Sequence, residues 1–402
     1  MSKPLRVVYA PGPGDVIGTY NYWVKGQDDP SQVAISYSHQ FYDVCHALEA
    51  QAYVIAPTSK QKTLFRNDKI IIERRPKRFF GASGVLRRLG QLWYDVSLVA
   101  TGVRFKADVV VVASGGTHWF ILSLLPGLGV QVIPSFHVLL WSKYKSEDSL
   151  GQFVLNLSRP LLTSQAMAIL AVSDEICDQV AQLTNGQHRP ILRSFPVYRR
   201  EQFAEIDAPD QKRSPFRVLF VGRIEQHKGV FELLEIAKRF VAEGRDNITF
   251  DLCGKGSALD ALRLAAKEAG VDSIFVCHGH CNKPKMRQMF SQSHVVIVPT
   301  TTGFREGFNK VVVEGILAGR PVVTSAVCPD LACVKDAVVE VPADNTKAYG
   351  DALLKLCNDW EFYDQKRQGC LAIQEQFYDL SHSWGANLKS ILISNNLQKM
   401  EQ

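Results

Sequence analysis

The sequence predicts an α/β protein of two doubly wound domains, and three observations support this fold class. Short runs rich in β-branched residues recur along the chain, and amphipathic segments with a helical period lie between most of them. The length of 402 residues fits two domains at roughly 150 residues or more each. Apolar strands that alternate with helices favour parallel sheets with helices on both faces.

In the first half of the chain, five apolar runs are predicted strands: residues 5–9, 52–56, 109–113, 130–134 and 166–172. Helical periodicity indicates helices near residues 36–50 and 174–183. In the second half, the predicted strands are 217–221, 248–252, 274–277, 295–299, 321–325 and 338–341, and the predicted helices are 230–242, 259–269, 285–292, 310–318 and 346–358. Each half therefore forms one Rossmann-like domain.

The domain boundaries follow from where this alternation stops. Residues 1–198 are the predicted first domain, and residues 216–380 are the predicted second domain. Residues 199–215 are polar and lack strand periodicity, which is typical of a linker. A last helix, within about residues 381–402, is expected to pack back on the first domain.

Charge is distributed unevenly between the two halves. The net charge is +6, but residues 1–200 hold 22 basic and 14 acidic residues, whereas the remainder holds 24 and 26. Ten of the basic residues lie in residues 60–88. From residue 85 to residue 99, apolar residues recur at approximately helical spacing, which indicates an amphipathic helix. Residues 60–99 thus predict contact with an anionic membrane surface. The alternative is a basic loop beside a helix docked on its own domain.

Composition excludes several other classes. Apolar residues make up 46% and charged residues 21%, as in ordinary globular proteins. No apolar stretch reaches the roughly 18 residues needed to span a bilayer. The first residues do not resemble a secretory signal, and nine cysteines in this length read as reduced thiols. A cytoplasmic protein is expected, peripheral at the inner membrane face if residues 60–99 bind lipid, with no nucleic-acid partner.

Doubly wound domains bind ligands at the carboxyl ends of their strands, so a ligand is expected in a cleft where two such domains face each other. The first strand is followed by a loop with Gly12, Gly14 and Gly18, which allows close backbone approach to a ligand. This spacing is not that of a dinucleotide-binding loop, because Gly18 comes one residue late. The second strand also lacks the acidic residue that a nicotinamide cofactor requires, so such a cofactor is disfavoured.

The strand at residues 217–221 leads into a loop that carries two cations, Arg223 and Lys228. A guanidinium and an ammonium five residues apart suit a diphosphate, the first as a bidentate donor and the second as a point charge. The alternative is a pair of solvated loop cations.

The strand at residues 295–299 leads into a loop and helix with two glutamates, Glu306 and Glu314. Backbone N–H groups near Gly307, Phe308 and Asn309 are expected to point toward an anion at the start of the helix. Carboxylates and phosphates repel each other, so carboxylates at a phosphate site require an explanation. One explanation is that they accept hydrogen bonds from sugar or ribose hydroxyls. The alternative is a helix-terminal glutamate followed by an ordinary surface glutamate.

Together these strings resemble the retaining glycosyltransferases of family 4, which have the GT-B fold. The resemblance rests on Val221-Gly222-Arg223, Lys228-Gly229, Glu306-Gly307-Phe308, Glu314-Gly315 and the run from Ala318 to Ser325. In the first domain it is thinner and rests on residues 12–18, 135–137 and 171–173. Asn309 and Lys310 depart from the small and apolar residues usual in the family.

The resemblance implies a role for each site residue. Arg223 and Lys228 would hold the diphosphate of a nucleotide-sugar donor, and Glu314 would bind its ribose. Glu306 would contact the donor sugar beside the N–H groups of Gly307, Phe308 and Asn309. His137 would act on the donor sugar as the second catalytic residue. The loop that contains Gly14 would approach the phosphates or the acceptor.

The implied reaction transfers a sugar from a UDP- or GDP-sugar with retention, to a glycan, lipid-linked or small-molecule acceptor, as in polysaccharide biosynthesis. No carboxylate is evident as a nucleophile, which fits a front-face reaction. No Asp-x-Asp motif is present, so no metal or other cofactor is expected. Two alternatives remain open: a nucleotide-sugar epimerase of similar two-domain fold, and a non-catalytic glycan-binding protein.

Further histidines and cysteines are weaker candidates. His39, on a predicted helix, and His118 are expected on the acceptor side. Residues 277–281, Cys-His-Gly-His-Cys, contain zinc-ligand types, but alternation along a strand would point them to opposite faces. A zinc site is therefore not expected.

Overall fold

The structure is a computed structural model that describes residues 3–113, 117–146, 149–210 and 214–400, the last six by backbone alone. Two compact units divide the chain. The first comprises Met1–Trp141, Ser146–Pro196 and Leu380–Gln402, and the second comprises Ser142–Lys145 and Val197–Asp379. Each unit is an α/β domain built on one largely or wholly parallel sheet, which confirms the predicted fold class.

In the described part of the first unit, eight strands form one sheet in the order β3-β4-β2-β1-β5-β6-β7-β8, parallel except for the β3–β4 pair. The strands are β1 Arg6–Ala10, β2 Gln51–Thr58, β3 Thr63–Arg66, β4 Ile70–Pro76, β5 Val109–Val112, β6 Gln131–Phe136, β7 Ile169–Ala171 and β8 Ile191–Arg193. β5 is four fully buried valines, as expected for a strand with helices on both faces. The sequence did not predict β3, β4 or β8, which are short or carry many charges.

The helices of this unit lie between the strands, and some of them begin at a polar side-chain cap. They are α1 Val16–Trp23, α2 Tyr37–Ala47, α3 Gly84–Arg104, α4 Trp119–Leu122, α5 Leu124–Gly127, α6 Ser149–Leu157 and α7 Asp174–Thr184, with a π-helical turn at Leu161–Gln165. Ser36 caps α2 by accepting the His39 N–H, and Ser173 caps α7 by accepting the Ile176 N–H.

The described residues of the second unit form a six-stranded, wholly parallel sheet in the order β11-β10-β9-β12-β13-β14. The strands are β9 Phe216–Val221, β10 Ile248–Cys253, β11 Phe275–Gly279, β12 Val295–Val298, β13 Val322–Ser325 and β14 Val338–Val341. The helices are α8 Val230–Ala242, α9 Leu259–Glu268, α10 Lys283–Gln292, α11 Lys310–Leu317, α12 Thr346–Asn358 and α13 Trp360–Ile373. This strand order reverses between β9 and β12, the position at which doubly wound folds bind ligands.

The predicted linker packs on the second unit as far as the structure describes it. Arg200 forms a two-bonded pair with Glu375, at 2.8 and 2.6 Å. The buried Arg320 guanidinium donates to the Asp207 carbonyl at 2.6 Å, and the Asp210 carbonyl lies 3.0 Å from His294 Nε2. Residues 199–210 are therefore part of that unit rather than a free connection, and residues 211–213 lie outside the described residues.

The last helix, α14 Trp384–Met400, belongs to the first unit. Trp384 is fully buried and donates its indole N–H to Ser135 Oγ at 2.9 Å. The Gly385 N–H donates to Gln40 Oε1 of α2 at 2.8 Å. Among the described residues, none of the helices combines the length and apolar character that crossing a bilayer requires.

Candidate functional site

Two glycines let the loop after β9 touch its neighbours, Gly254 in the loop after β10 and Gly229 against the loop after β12. A Cβ on Gly254 would lie 1.7 Å from the Gly222 carbonyl oxygen, and one on Gly229 would lie 2.0 Å from that of Pro299. Both have positive φ, of 157° and 76°, which disfavours any other residue. The loop that carries the two predicted cations is thereby held against the loop that carries Glu306.

Lys228 and Glu306 form an ion pair across these two loops. Both side chains are largely buried, so the pair lies out of bulk water. Glu306 Oε1 also lies 3.4 Å from Thr300 Oγ1 and 3.3 Å from Asn309 Nδ2. The carboxylate is therefore held in position from three directions.

Phe304 brings the other loop residues together. Its ring lies 4.2 Å from Lys228 Nζ and 5.7 Å from the Arg223 guanidinium carbon, within the range of cation–π contacts. The His227 ring stacks on it at 4.6 Å with an interplanar angle of 13°. Burial, together with Lys228 and Arg223, lowers the pKa of His227. This imidazole therefore tends to stay neutral, and the positive charge here belongs to the two predicted cations.

The segment between Glu306 and α11 leads into the helix and contacts the Glu306 carboxylate. Gly307 is buried and Phe308 half-buried, and both precede the helix, which begins at Lys310. Asn309 caps this helix by accepting the Val311 N–H at 3.1 Å. Its side chain is thus engaged with the helix and with Glu306, and the expectation that its backbone N–H lies beside the donor sugar stays a prediction.

Glu314 lies inside α11 and is buried, as Glu306 is, with only 7% of each residue exposed. This burial contradicts the alternative reading of Glu314 as a surface residue. Desolvation raises the pKa of Glu314 to about 7, although Lys310, one helical turn earlier, opposes the rise. Burial likewise lowers the pKa of Lys310, against the effect of Glu314. Two ionisable groups thus share a poorly solvated site, and both titrate closer to neutrality than usual.

A buried thiol completes this region. Cys328 is almost fully buried, and Thr324 Oγ1 lies 3.2 Å from its sulfur. Burial raises the pKa of Cys328 to about 12, with Glu306 contributing in the same direction. The thiol is therefore protonated and acts as a small packing group beside Glu306.

The chemistry of the second unit follows from these groups. Arg223 and Lys228 offer positive charge for a diphosphate, and Glu306 and Glu314 offer acceptors for hydroxyl groups. The structure joins Arg223, Lys228 and Glu306 through Phe304 and the ion pair, and places Glu314 in the helix that directly follows.

In the first unit, the loop after β1 owes its glycine spacing to a helix cap. Asp15 caps α1 by accepting the Gly18 N–H at 3.1 Å, and a Cβ on Gly18 would lie 2.4 Å from Asp15 Oδ2. This contact explains Gly18, which sequence reasoning treated as an irregular phosphate-loop glycine. Gly14 is exposed, with open space around its Cα, so it remains a candidate for close approach to a ligand.

His137 follows β6 at its carboxyl end and is half-buried. Its Nε2 lies 2.9 Å from Ser135 Oγ, which also receives the indole N–H of Trp384. The Tyr37 ring packs edge-on against the imidazole at 4.3 Å. Ser135 and Tyr37 therefore fix the orientation of the ring that the sequence assigned to the donor sugar.

His118 lies beyond the carboxyl end of β5 and is bound to a buried carboxylate. Its Nδ1 lies 3.0 Å from Asp95 Oδ2 of α3, which also accepts the His118 backbone N–H at 2.9 Å. Gln91 donates to the other Asp95 oxygen at 2.7 Å. Sequence reasoning missed Asp95, because it lies 23 residues before His118 on a helix without a distinguishing motif.

His39 is buried in α2 between two carboxylates rather than exposed on a groove. Its Nδ1 lies 3.8 Å from Asp28 and its Nε2 lies 3.7 Å from Asp43. The structure thus places His39 beside Asp28 and Asp43 within the unit, and its expected acceptor-side role stays a prediction.

The Cys-His-Gly-His-Cys run spans the end of β11 and the residues after it. His278 Nε2 lies 2.7 Å from Asp251 Oδ1, and Cys281 Sγ bonds to the Gly279 carbonyl. Within the described ranges, no three His, Cys, Asp or Glu side chains are grouped as metal ligands.

Comparison with known proteins defines the class. Residues 201–369 match the family described as "Glycosyl transferases group 1". Alpha-D-kanosaminyltransferase of Streptomyces kanamyceticus is 24% identical over 272 residues, which is 63% of this chain and 68% of that protein. The second-unit motifs lie within the matched region.

Two solved structures share the fold at low identity. Anabaena HepE in complex with UDP and glucose is 15% identical, with a TM-score of 0.63 over 98% of this chain and 100% of that chain. Sucrose-phosphate synthase from Thermosynechococcus elongatus is 14% identical, with a TM-score of 0.66 over 98% and 99%.

The fold and the family match together define a glycosyltransferase with the GT-B fold. Within that class, the second unit carries the group 1 glycosyl transferase match over residues 201–369.

Proposed function

We propose that this enzyme transfers a sugar from a UDP- or GDP-sugar to a hydroxyl group of a glycan, lipid-linked or small-molecule acceptor, as in polysaccharide biosynthesis. The observation that carries the proposal is the convergence of Arg223, Lys228 and Glu306 at the switch point of the second sheet. The UDP complex of HepE supports UDP as the first nucleotide to test.

Each group has a chemical reason to meet such a donor. A diphosphate would draw Lys228 partly away from Glu306, and the freed carboxylate would then accept hydrogen bonds from the sugar hydroxyls. Glu314, when ionised, would accept the ribose hydroxyls. Gly307 and Phe308 would lie beside the sugar and Gly14 near the phosphates or acceptor, as the family resemblance implies.

We assign a front-face mechanism with retention, in keeping with the family 4 resemblance. The bond between the anomeric carbon and the diphosphate oxygen breaks while the acceptor oxygen bonds to the same face of that carbon. The acceptor proton passes to the leaving phosphate, so atoms and charge balance. Arg223 and Lys228 stabilise the negative charge that grows on the diphosphate, and His137 orients a sugar hydroxyl.

The same cations make a metal ion unnecessary in this proposal. They supply positive charge where a metal-dependent transferase would place a divalent ion. Turnover in excess EDTA is expected to match turnover in added Mg²⁺ or Mn²⁺. Loss of turnover in EDTA, restored by either ion, would remove metal independence from the proposal.

The nucleotide is tested first by calorimetry with UDP, GDP, UDP-glucose and GDP-mannose. Either the uridine or the guanosine compounds are expected to bind the wild type. The control variant Glu268→Gln, which changes an exposed glutamate of α9, is expected to bind them with the same affinity. Failure of all four probes to bind would contradict the proposal.

Product analysis separates transfer from the two alternatives. With donor alone, an epimerase converts the donor into its epimer, whereas a transferase needs an acceptor for sugar transfer. With a cell extract supplied as the source of acceptor, the Glu306→Gln variant is expected to consume donor far more slowly than wild type. Equal consumption by both proteins would exclude Glu306 from the chemistry, and binding without any turnover would favour a glycan-binding protein.

We also propose that the first unit contacts an anionic membrane surface through the amino-terminal half of α3. This half exposes an apolar stripe, with Val85 73% and Trp93 56% exposed and Phe79 and Phe80 beside it. Arg78, Arg87 and Arg88 supply the adjacent positive charge, and the Arg78 guanidinium lies 4.9 Å from the Trp93 ring. Apolar insertion combined with cationic contact is typical of interfacial helices.

The structure also determines which residues can test this contact. Arg75 is bound to Glu73, and Lys77 to Gln91, so their removal would disturb packing. Phe80→Ser with Val85→Ser is the better variant. It is expected to abolish flotation with phosphatidylglycerol vesicles, whereas Leu264→Ser, equally exposed on α9, is expected to leave flotation intact. Unchanged flotation of the double variant would reject α3 as the anchor.

A further inference from the structure

The first unit contains a cavity of about 510 Å³ at the amino-terminal ends of its strands. Arg6 at the start of β1, Gln51 at the start of β2 and Ile70 at the start of β4 line it, together with Arg104 and Phe105 at the end of α3. β1 is five residues long, so the part of the cavity around Arg6 lies roughly 13 Å along that strand from the start of the loop that contains Gly14, although Glu73 and Arg75 extend the lining into the carboxyl half of β4. It is therefore separate from the predicted ligand loops of this unit.

The lining of this cavity is strongly basic. Six cations line it, against two carboxylates, Asp68 and Glu73; the cations are Arg6, Lys62, Arg66, Lys69, Arg75 and Arg104. Such an excess in a concave site attracts anions, because low-dielectric walls focus the field.

Glu73 is already paired within the protein. Arg75 donates two hydrogen bonds to it, at 2.9 and 2.8 Å, the Tyr53 hydroxyl donates a third at 2.5 Å, and Lys62 lies 3.3 Å away. Burial acts to raise the pKa of Glu73, but the hydrogen bonds from Arg75 and Tyr53 outweigh it and lower the pKa to about 2. Glu73 is thus ionised at neutral pH and compensates Arg75 and Lys62.

Four cations remain: Arg6, Arg66, Lys69 and Arg104. Even with Asp108, which accepts the Arg6 backbone N–H at 2.9 Å, they outnumber the remaining carboxylates by two. Arg6 Nε is buried and has no hydrogen-bond partner among the described residues. The same guanidinium lies 4.4 Å from the Phe105 ring, which holds it in place. A buried donor without a partner calls for a ligand oxygen.

We propose that this cavity is a second ligand site, which binds a small phosphorylated molecule. Guanidinium groups match phosphate oxygens in a bidentate manner, and a volume of 510 Å³ suits a ligand the size of a sugar phosphate or nucleotide. The phosphate lies against Arg6, with Arg66 and Arg104 at the entrance. The site does not depend on the proposed donor chemistry of the second unit.

The test is calorimetry of the full chain with ribose 5-phosphate and inorganic pyrophosphate, without UDP, because UDP is itself a phosphorylated molecule that the cavity would bind. Arg66→Gln/Arg104→Gln is compared with Arg87→Gln/Arg88→Gln, which removes the same charge from the α3 surface. The first variant is expected to bind at least ten-fold more weakly than wild type, and the second is expected to bind as wild type. Arg6→Lys, which keeps the charge but loses the planar fork, is expected to bind several-fold more weakly.

Vesicle flotation distinguishes a free phosphate ligand from a lipid headgroup. Arg66→Gln/Arg104→Gln is expected to float with phosphatidylglycerol vesicles as wild type does, and Arg87→Gln/Arg88→Gln is expected to float less. Two results would overturn the proposal: equal soluble-phosphate affinity in the wild type and the cavity variant, or no soluble-phosphate binding by wild type. Loss of flotation in the cavity variant alone would also overturn it, in favour of a lipid headgroup.

Discussion

The candidate site residues of the two units are held by different kinds of contact. In the second unit, residues from two separate loops converge, and Lys228, Glu306 and Phe304 contact one another. In the first unit, His39, His118 and His137 are each engaged in their own local network, with Asp28 and Asp43, with Asp95, and with Ser135 and Tyr37.

This difference shows where ligand chemistry is most strongly indicated. Burying Glu306, Glu314 and Lys228 near one helix start costs free energy of folding, because each charge loses hydration. A ligand-binding function explains why the protein keeps this cost. The histidines of the first unit need no ligand to explain their positions, since neighbouring side chains already satisfy them. The donor hypothesis therefore rests on the second unit, and the acceptor side remains the weaker prediction.

The largest expected effect comes from Glu306. Glu306→Gln keeps the shape but removes the charge that pairs with Lys228 and faces the sugar hydroxyls, so kcat is expected to fall roughly 100-fold. Steady-state turnover with donor and acceptor measures it. His39→Gln in the first unit is the contrasting variant, with kcat expected within a few-fold of wild type. Equal losses in both variants would erase the distinction between the two regions.

A smaller effect is expected on donor affinity at Arg223. Loss of a charge-assisted bond weakens binding by roughly 1.5–3 kcal/mol, or about 10- to 100-fold. Calorimetry of Arg223→Gln with UDP or GDP measures this loss. Arg245→Gln, an exposed arginine of the same unit, is the control and should bind as wild type. Wild-type affinity in the Arg223 variant would place the diphosphate elsewhere.

Stability provides an independent view of the second switch point. Gly254→Ala forces a Cβ onto the Gly222 carbonyl and is expected to lower the free energy of unfolding by roughly 2–3 kcal/mol. Calorimetric melting should show this loss in the transition of the second unit. Gly127→Ala, whose Cβ would enter open space, is the control. An unchanged transition in Gly254→Ala would mean that the loops after β9 and β10 are not tightly held against each other.

The last effect concerns pH. Because the pKa of Glu314 is raised to about 7 from an ordinary 4.5, its contribution to stability is complete below about pH 4.5 and is lost as pH rises through 7. Glu314→Gln lacks this titration, so its melting temperature relative to wild type should increase between pH 5 and pH 8. Donor affinity of the wild type should rise over the same pH range, because the ribose requires the ionised carboxylate and its fraction grows as pH passes 7. A pH-independent difference would contradict the raised pKa.

Much of this architecture could be predicted from the sequence, because the strands of both sheets are apolar runs of the expected period. β3 escaped prediction because it has only four residues, and β4 because Glu73, Arg74 and Arg75 end its apolar run. Residues 199–210 appeared to be a linker partly because Asp207 and Asp210 make their contacts through backbone carbonyls, which leave no trace in composition. Of the candidate site, Arg223, Lys228, Glu306 and Glu314 were recognisable from their place after strands.

Other details of the site depended on tertiary contacts. That Asn309 caps α11, and that Gly18 makes room for the Asp15 cap, are local facts that resembled ligand motifs. The pairing of Asp95 with His118 joins distant segments and has no sequence signal. Burial of Glu314 was equally hidden, since its sequence position fits either face of a helix.

The most direct measurement of the central claim is hydrogen–deuterium exchange of the full chain with and without UDP or GDP, whichever binds. Because the donor is assigned to the loops after β9 and β12, protection is expected in residues 222–229 and 300–314. Nucleotide binding that protects other segments from exchange, but neither of these two, would contradict the assignment.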